Sequence, residues 1–225
     1  MNFLFVIPAR GGSKGIPKKN IKLLNGKALI LYALENALKL TTADNICVST
    51  DDTEIINLLQ KSGYIVPFKR PNHLATDNAT TQDVLIHALD FYNSKSINYD
   101  AIVLLQPTSP FRLTEQIKEA IKLFDKQLDM VVSVKETSSN PYYNLFEENE
   151  NGFLLSSKNG SYTRRQDCPK VWEYNGAIYV INVNSLKEMK ISEFKKVKKY
   201  VMSEETSLDI DTPLDWIIAE HLLSQ

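Results

Sequence analysis

At 225 residues, 43% of them hydrophobic and 24% charged, the chain has ordinary globular composition and is long enough to bury a sizeable core without staples. Its net charge of -1 excludes a general nucleic-acid or anionic-membrane binder, so concentrated positive charge anywhere in it is a local device for a small anion. Cys47 and Cys168 lack C-x-x-C spacing and read as structural thiols, the first apolar run is too short for a signal peptide, and no later run could span a bilayer; a cytoplasmic enzyme is expected.

The first predicted strand, residues 3–7, empties into Pro8-Ala9-Arg10-Gly11-Gly12-Ser13-Lys14-Gly15-Ile16-Pro17-Lys18-Lys19-Asn20. Glycines there let bare N–H groups approach a ligand, while Arg10, Ser13, Lys14, Lys18 and Lys19 add donors and charge, so the loop reads as a polyanion cradle. Neither G-x-x-x-x-G-K-[ST] nor G-x-G-x-x-G fits it, which argues against a P-loop NTPase and an ordinary dinucleotide-binding domain. Further strands are expected at 45–49, 65–68, 101–105 and 130–134, alternating with helices marked by Leu29, Ala33, Ala37 and Leu40, by Val84, Leu85, Ala88, Leu89 and Tyr92, and by Ile117, Ala120, Ile121 and Phe124. This βαβ rhythm predicts an α/β fold with a mostly parallel sheet.

From about 136 to 172 the rhythm fails around two strand-like pieces, 142–146 and 152–155, which predicts an inserted arm on a single 1–225 domain rather than a second domain. Its exposed Tyr142, Tyr143, Phe146 and Phe153 suit contact between copies of the chain. Strands return at 176–181, entered from an Asn-Gly turn, and at 199–202, and a last helix starts at Pro213.

In such a sheet the ligand sits beyond the carboxyl ends of the strands, which singles out the basic loop, Ser49-Thr50-Asp51-Asp52 and Gln106-Pro107-Thr108-Ser109-Pro110-Phe111-Arg112. Asp52 reads as the cap of a helix beginning Thr53-Glu54-Ile55-Ile56. Pro71 frees the Arg70 guanidinium for a phosphate or base, or for a surface salt bridge. Thr81 reads as a cap whose hydroxyl or neighbouring N–H meets a ligand, and Arg164-Arg165-Gln166 as a carboxylate clamp. In Asp209-Ile210-Asp211 a strand would point both carboxylates to one face, a pair suited to Mg²⁺, while Asp211 or Thr212 could instead only cap the following helix. The three histidines are dispersed, and no nucleophile–base pair stands out; a basic loop facing an acidic pair implies phosphoryl or nucleotidyl transfer.

Taken together, Ala9-Arg10-Gly11-Gly12-Ser13-Lys14-Gly15 with Lys19-Asn20, Ser49-Thr50-Asp51, Arg70-Pro71 with Leu74-Ala75, Leu105-Gln106-Pro107-Thr108-Ser109-Pro110, Asn175-Gly176-Ala177-Ile178-Tyr179 and Asp209-Ile210-Asp211 resemble the acylneuraminate cytidylyltransferases, in order and through essentially the whole chain. The resemblance implies a Rossmann-like three-layer fold and a dimer in which the arm of one subunit helps close the other's site. It implies that a nonulosonic acid is activated with CTP, its anomeric hydroxyl attacking the α-phosphorus in line while pyrophosphate leaves. It implies CTP contacts from Ala9, Arg10, Gly11, Ser13, Lys14, Lys19, Asn20, Arg70 and Thr81, sugar contacts from Gln106, Arg165 and Tyr179, and Mg²⁺ on Asp209 and Asp211, with Arg10, Lys19 and the two aspartates carrying catalysis. The chain departs from sialate enzymes at Tyr142-Tyr143-Asn144 and Ser192-Glu193-Phe194, both on the sugar side, and looks closer there to enzymes for legionaminic or pseudaminic acid. Which sugar it takes stays open, and the competing expectations are a 3-deoxy-manno-octulosonate cytidylyltransferase and a non-catalytic nucleotide-binding module.

Overall fold

A computed structural model describes residues 1–224. In chain order its strands are β1 (Phe3–Pro8), β2 (Leu23–Leu24), β3 (Lys27–Ala28), β4 (Ile46–Ser49), β5 (Ala101–Leu104), β6 (Met130–Glu136), β7 (Phe146–Glu148), β8 (Leu154–Ser156), β9 (Trp172–Asn182) and β10 (Val197–Val201). Its α-helices are α1 (Leu29–Leu38), α2 (Thr53–Lys61), α3 (Thr81–Asn93), α4 (Thr114–Leu123), α5 (Val183–Glu188) and α6 (Pro213–Leu223). None of the described helices is long and apolar enough to cross a membrane.

Six strands form one sheet in the order β10-β6-β9-β5-β1-β4, parallel except for β9, which runs antiparallel to both neighbours. The central strand Ala101–Leu104 and the edge strand Ile46–Ser49 are both buried on both faces, which is why they read as continuous apolar runs rather than alternating ones. One face packs on α1, α2 and α4 through Ile30, Ala33, Leu59, Ile117 and Ala120. The other packs on α3 and α5 through Leu85, Ala88, Leu89 and Leu186, completing three layers. Each strand carries side chains to both layers, so burying β1 commits Phe5 and Ile7 to one and Leu4 and Val6 to the other. The chain leaves β1 for β4 on one side and returns to β5 on the other, so the strand order reverses between β1 and β5 and opens a crevice at their carboxyl ends.

Several sequence-based expectations are corrected. Residues 65–68 form no strand: Pro67 lacks an N–H to donate, Ile65 is 83% exposed, and the segment joins the sheet by one bridge, Thr50 to Lys69. No Asn-Gly turn precedes residue 176; β9 runs straight through it, with Gly176 at φ 71 absorbing a register shift opposite Val132 and Val134. The Ser133 hydroxyl fills the irregularity, donating to Asn175 Oδ1 at 2.6 Å and accepting from the Ile178 N–H at 2.8 Å. The strand expected at 199–202 is Val197–Val201. The hairpin β7–β8 lies later in the chain than 142–146 and 152–155, outside the main sheet. Residues 208–211 form no regular element and pair in no sheet, with the Ile210 N–H donating to the Thr108 carbonyl at 2.8 Å.

Candidate functional site

The basic loop is held over the crevice from three sides. The Ala9 N–H donates to the Ser49 carbonyl at 2.9 Å, the Gly11 N–H to Asp51 Oδ1 at 3.1 Å, and Asn20 Nδ2 closes the loop on the Arg10 carbonyl at 3.0 Å. Two glycines are required by space. A Cβ on Gly11 would lie 2.6 Å from Asp52 Oδ2, and one on Gly15 would lie 2.1 Å from the Asp211 carbonyl oxygen. Ile16 then enters a small core with Leu24, Leu29, Ile210, Trp216 and Ala219, so the apolar residues beside the charged ones fasten the first loop to the 209–211 segment. Lys18 turns the chain at φ 52 into the short helical turn Lys19–Ile21.

The cations of this loop are all paired. Arg10 Nη1 and Lys14 Nζ both meet Asp77, each at 2.8 Å, and Lys18 meets Glu54 at 2.5 Å. Lys19 is nearly buried and donates to the Ile210 carbonyl at 2.7 Å and to Asp211 Oδ1 at 2.8 Å. That ammonium sits where the two ends of the chain meet. A cavity of about 410 Å³ is lined by Arg10, Ser13, Lys14, Gly15, Lys19 and Asn20 on one side and by Gln106, Thr108 and Asp211 on the other. A second, of about 280 Å³, shares Pro8 and Arg10 with it and is lined by Arg70, Asp77 and Thr81. Nine sequence-predicted positions therefore border one composite crevice, while Ala9, Gly11 and Asp209 lie outside its lining.

Other predicted residues sit differently. Arg70 is buried and makes neither a salt bridge nor a free guanidinium: Nε donates to Ser49 Oγ at 3.0 Å, Nη2 to the Ser49 carbonyl and Nη1 to the Leu74 carbonyl, and burial lowers its pKa. Thr80, not Thr81, caps α3, in a reciprocal capping box with Asp83, which leaves Thr81 as the first helical residue at the cavity wall. Asp52 caps α2 as expected, accepting from the Glu54 N–H at 2.7 Å. Thr212 caps α6 through its own box with Asp215, so Asp211 is not that cap. Tyr179 stands on β9 opposite Leu104 and Val132, its phenol pushed up first by burial and then by the charge of Asp209. Arg165 is in the arm, beside a separate cavity of about 430 Å³ with Thr137, Asn140 and Lys170.

Asp209 is mostly buried. Burial raises its carboxyl pKa, the charge of Asp211 raises it further, and the nearby Thr108 hydroxyl and Lys19 act in the opposite sense. Gly176 lies against it, a Cβ there falling 3.5 Å from Oδ2. Asp209 Oδ1 and Thr108 Oγ1 are both buried with no close partner elsewhere in the chain, the Thr108 hydroxyl acting on the Asp209 carboxylate. No group of three or more His, Cys, Asp or Glu among the described residues is arranged to hold a metal ion.

Sequence reasoning placed Arg112 on a site loop but gave it no role. It is fully buried, and its two terminal nitrogens donate to the Ala177 and Gln106 carbonyls beneath the crevice. A lone arginine at the end of a loop has no period or spacing to mark it.

A family model described as cytidylyltransferase matches residues 4–223. The chain is 33% identical over 224 residues to the CMP-N,N'-diacetyllegionaminic acid synthase of Legionella pneumophila, covering 99% of this chain and 97% of that one. It is 32% identical over 223 residues to the pseudaminic acid cytidylyltransferase of Campylobacter jejuni, covering 99% and 96%. Among solved structures, a CMP:2-keto-3-deoxy-manno-octonic acid synthetase complexed with CTP superposes with a TM-score of 0.73 at 19% identity, covering 100% of this chain and 99% of that one, a likeness of fold.

Proposed function

The chain belongs to the cytidylyltransferase family, and from that footing we propose that it activates a nonulosonic, sialic-type acid with CTP, giving the CMP-sugar and pyrophosphate. The observation that carries this reading is the crevice itself, where Arg10, Ser13, Lys14 and Lys19 face Gln106 and Asp211 across about 410 Å³. A triphosphate laid along the basic loop meets cationic donors at every phosphate, and Lys19, fixed between Ile210 and Asp211, is the donor whose position is best defined. The sugar acid enters from the Gln106 and Tyr179 side. Its anomeric oxygen forms a bond to the α-phosphorus as the bond to the β-phosphate bridging oxygen breaks, pyrophosphate departs, and the hydroxyl proton passes to water. No covalent enzyme intermediate is needed, and the protein contributes alignment and charge.

The acidic pair suits a magnesium ion. Asp209 offers a buried carboxylate oxygen beside the Thr108 hydroxyl, and Asp211 an exposed carboxylate one residue beyond Ile210, one oxygen of it held by Lys19. Hard oxygens of this kind, too few to enclose an ion, match a cation that keeps water and takes phosphate oxygens from its substrate. When bound, the ion would neutralise charge on the phosphates and the departing pyrophosphate. Among octulosonate activation, a binding-only module and nonulosonate activation, the relatives matched over nearly their whole length favour the last. Our reading makes it a cytoplasmic enzyme and a homodimer whose arm serves the neighbouring copy, which would give the remote Arg165 a sugar pocket to reach.

The test is pyrophosphate release from CTP and Mg²⁺ with N-acetylneuraminate, legionaminate, pseudaminate and octulosonate. Turnover is expected with a nine-carbon acid, and release with octulosonate alone would overturn the reading.

A further inference from the structure

Five buried side-chain nitrogen or oxygen atoms among the described residues lack a close hydrogen-bond partner; Thr108 Oγ1, Ser109 Oγ and Arg112 Nε fall within five positions of one loop, and Asp209 Oδ1 belongs to the carboxylate on which the Thr108 hydroxyl acts. An unpartnered buried polar atom is costly, and the Thr108 hydroxyl offsets part of that cost for Asp209, which leaves the loop and the carboxylate dependent on how they are held together. Arg112 is the centre of this arrangement. The guanidinium is as buried as any core leucine, and its two terminal nitrogens bridge the Gln106 carbonyl on the loop after β5 to the Ala177 carbonyl on β9. Ala177 follows Gly176, whose open Cα face is filled by the Asp209 carboxylate. One planar fork thus touches the loop bearing Gln106 and the strand turn on which Asp209 rests.

Charge points the same way. Burial lowers the Arg112 pKa to about 9, and the charge that works against this shift belongs to Asp209. A guanidinium pays the desolvation of such a position with no carboxylate bonded to it, which core packing alone does not require. Replaced by a neutral group, it would leave Asp209 beside Asp211 with Lys19 as their remaining nearby cation.

We infer that Arg112 is a positioning residue that joins the two halves of the site, holding the Asp209 carboxylate ready for a divalent cation and the Gln106 loop ready for the sugar acid. This rests on the nucleotidyl-transfer reading above. Residues that orient metal ligands from behind typically contribute 10- to 100-fold in metal affinity, and the same scale is expected here.

The experiment compares wild type with Arg112→Met and Arg112→Lys. CTP binding is measured by calorimetry without sugar, once with EDTA and once with Mg²⁺, and the sugar-acid KM is measured separately on the acid that the wild type turns over. In Arg112→Met, CTP affinity in EDTA should stay within about twofold, while the tightening produced by Mg²⁺ should shrink by about tenfold or more. In Arg112→Lys the retained charge should preserve most of the Mg²⁺ effect, and loss of the fork should raise the sugar KM. A folded Met variant with the wild-type Mg²⁺ response and sugar KM overturns the inference, as does failure of both variants to fold, which would assign Arg112 to stability. A wild type inactive on every acid would instead count against the functional reading, and the calorimetry would still score Arg112.

Discussion

Asp77 is the residue on which the state of the basic loop turns. Arg10 and Lys14, both expected from sequence to meet phosphate, here meet this one carboxylate, which they hold below the usual range, Lys14 first and Arg10 second. A triphosphate or pyrophosphate entering the crevice must take those two cations from it. Because both pairs are exposed, each is weak and sensitive to salt. Asp77→Asn should therefore bind pyrophosphate more tightly by about two- to tenfold at low ionic strength, with the gain fading as salt rises. Product-inhibition constants at two salt concentrations check this, and equal constants for both proteins at low salt would dismiss Asp77 as a competitor. The cations were legible because they are clustered in sequence. Their counter-ion was not, because it arrives from 67 positions away and only folding brings the two together.

At the scale of elements, what the sequence showed clearly was whatever is continuous along the chain: buried strands such as Ala101–Leu104, the apolar stripe of α3, the Asp52 cap. What it concealed depends on neighbours. The antiparallel β9 looks like any apolar run, and residues 65–68 look like a strand until Pro67 and the exposed Ile65 deny it one. The β6–β10 edge depends on a similar hidden partner, Asp129. Its Oδ2 accepts from the Lys195 and Lys196 N–H groups at 3.0 and 2.8 Å, and its Oδ1 from the Ser185 hydroxyl at 2.7 Å, so it pins the entry to β10 and the start of α5 together. These bonds, the Lys196 N–H foremost, hold its carboxyl below the usual value. A folded-state pKa below the unfolded one adds stability above the unfolded pKa, lost as pH falls through the folded one. Asp129→Asn should cost about 1–3 kcal/mol at pH 7, and the gap to wild type should begin to narrow only below about pH 4 and close once pH has fallen through the depressed folded-state pKa. Urea unfolding at pH 7 and at successive values below about pH 4 measures it, and a gap that shows no narrowing over that acid range would place the effect elsewhere.

For the whole molecule, the break in rhythm from 136 to 172 was visible because its polar and aromatic residues serve no strand of the main sheet, and the hairpin β7–β8 does stand apart from it. That hairpin keeps Phe146, Phe153, Leu154 and Leu155 exposed, Phe153 at 68%, a patch that a lone chain leaves in water. Arg165, on the same arm, lines a cavity that shares no residue with the Arg10–Lys19 crevice. A homodimer resolves both facts if each arm crosses to the other copy, and this differs measurably from an arm that serves its own chain. Light scattering should give a two-chain mass. Arg165→Ala and Lys19→Ala should each be nearly inactive alone. In a crossed dimer, a mixed pair would have one site with both defects and one with neither, so unfolding and refolding an equal mixture should restore about a quarter of wild-type activity. Were each arm to serve its own chain, every site in every pair would carry one defect, and the mixture would stay as inactive as its components.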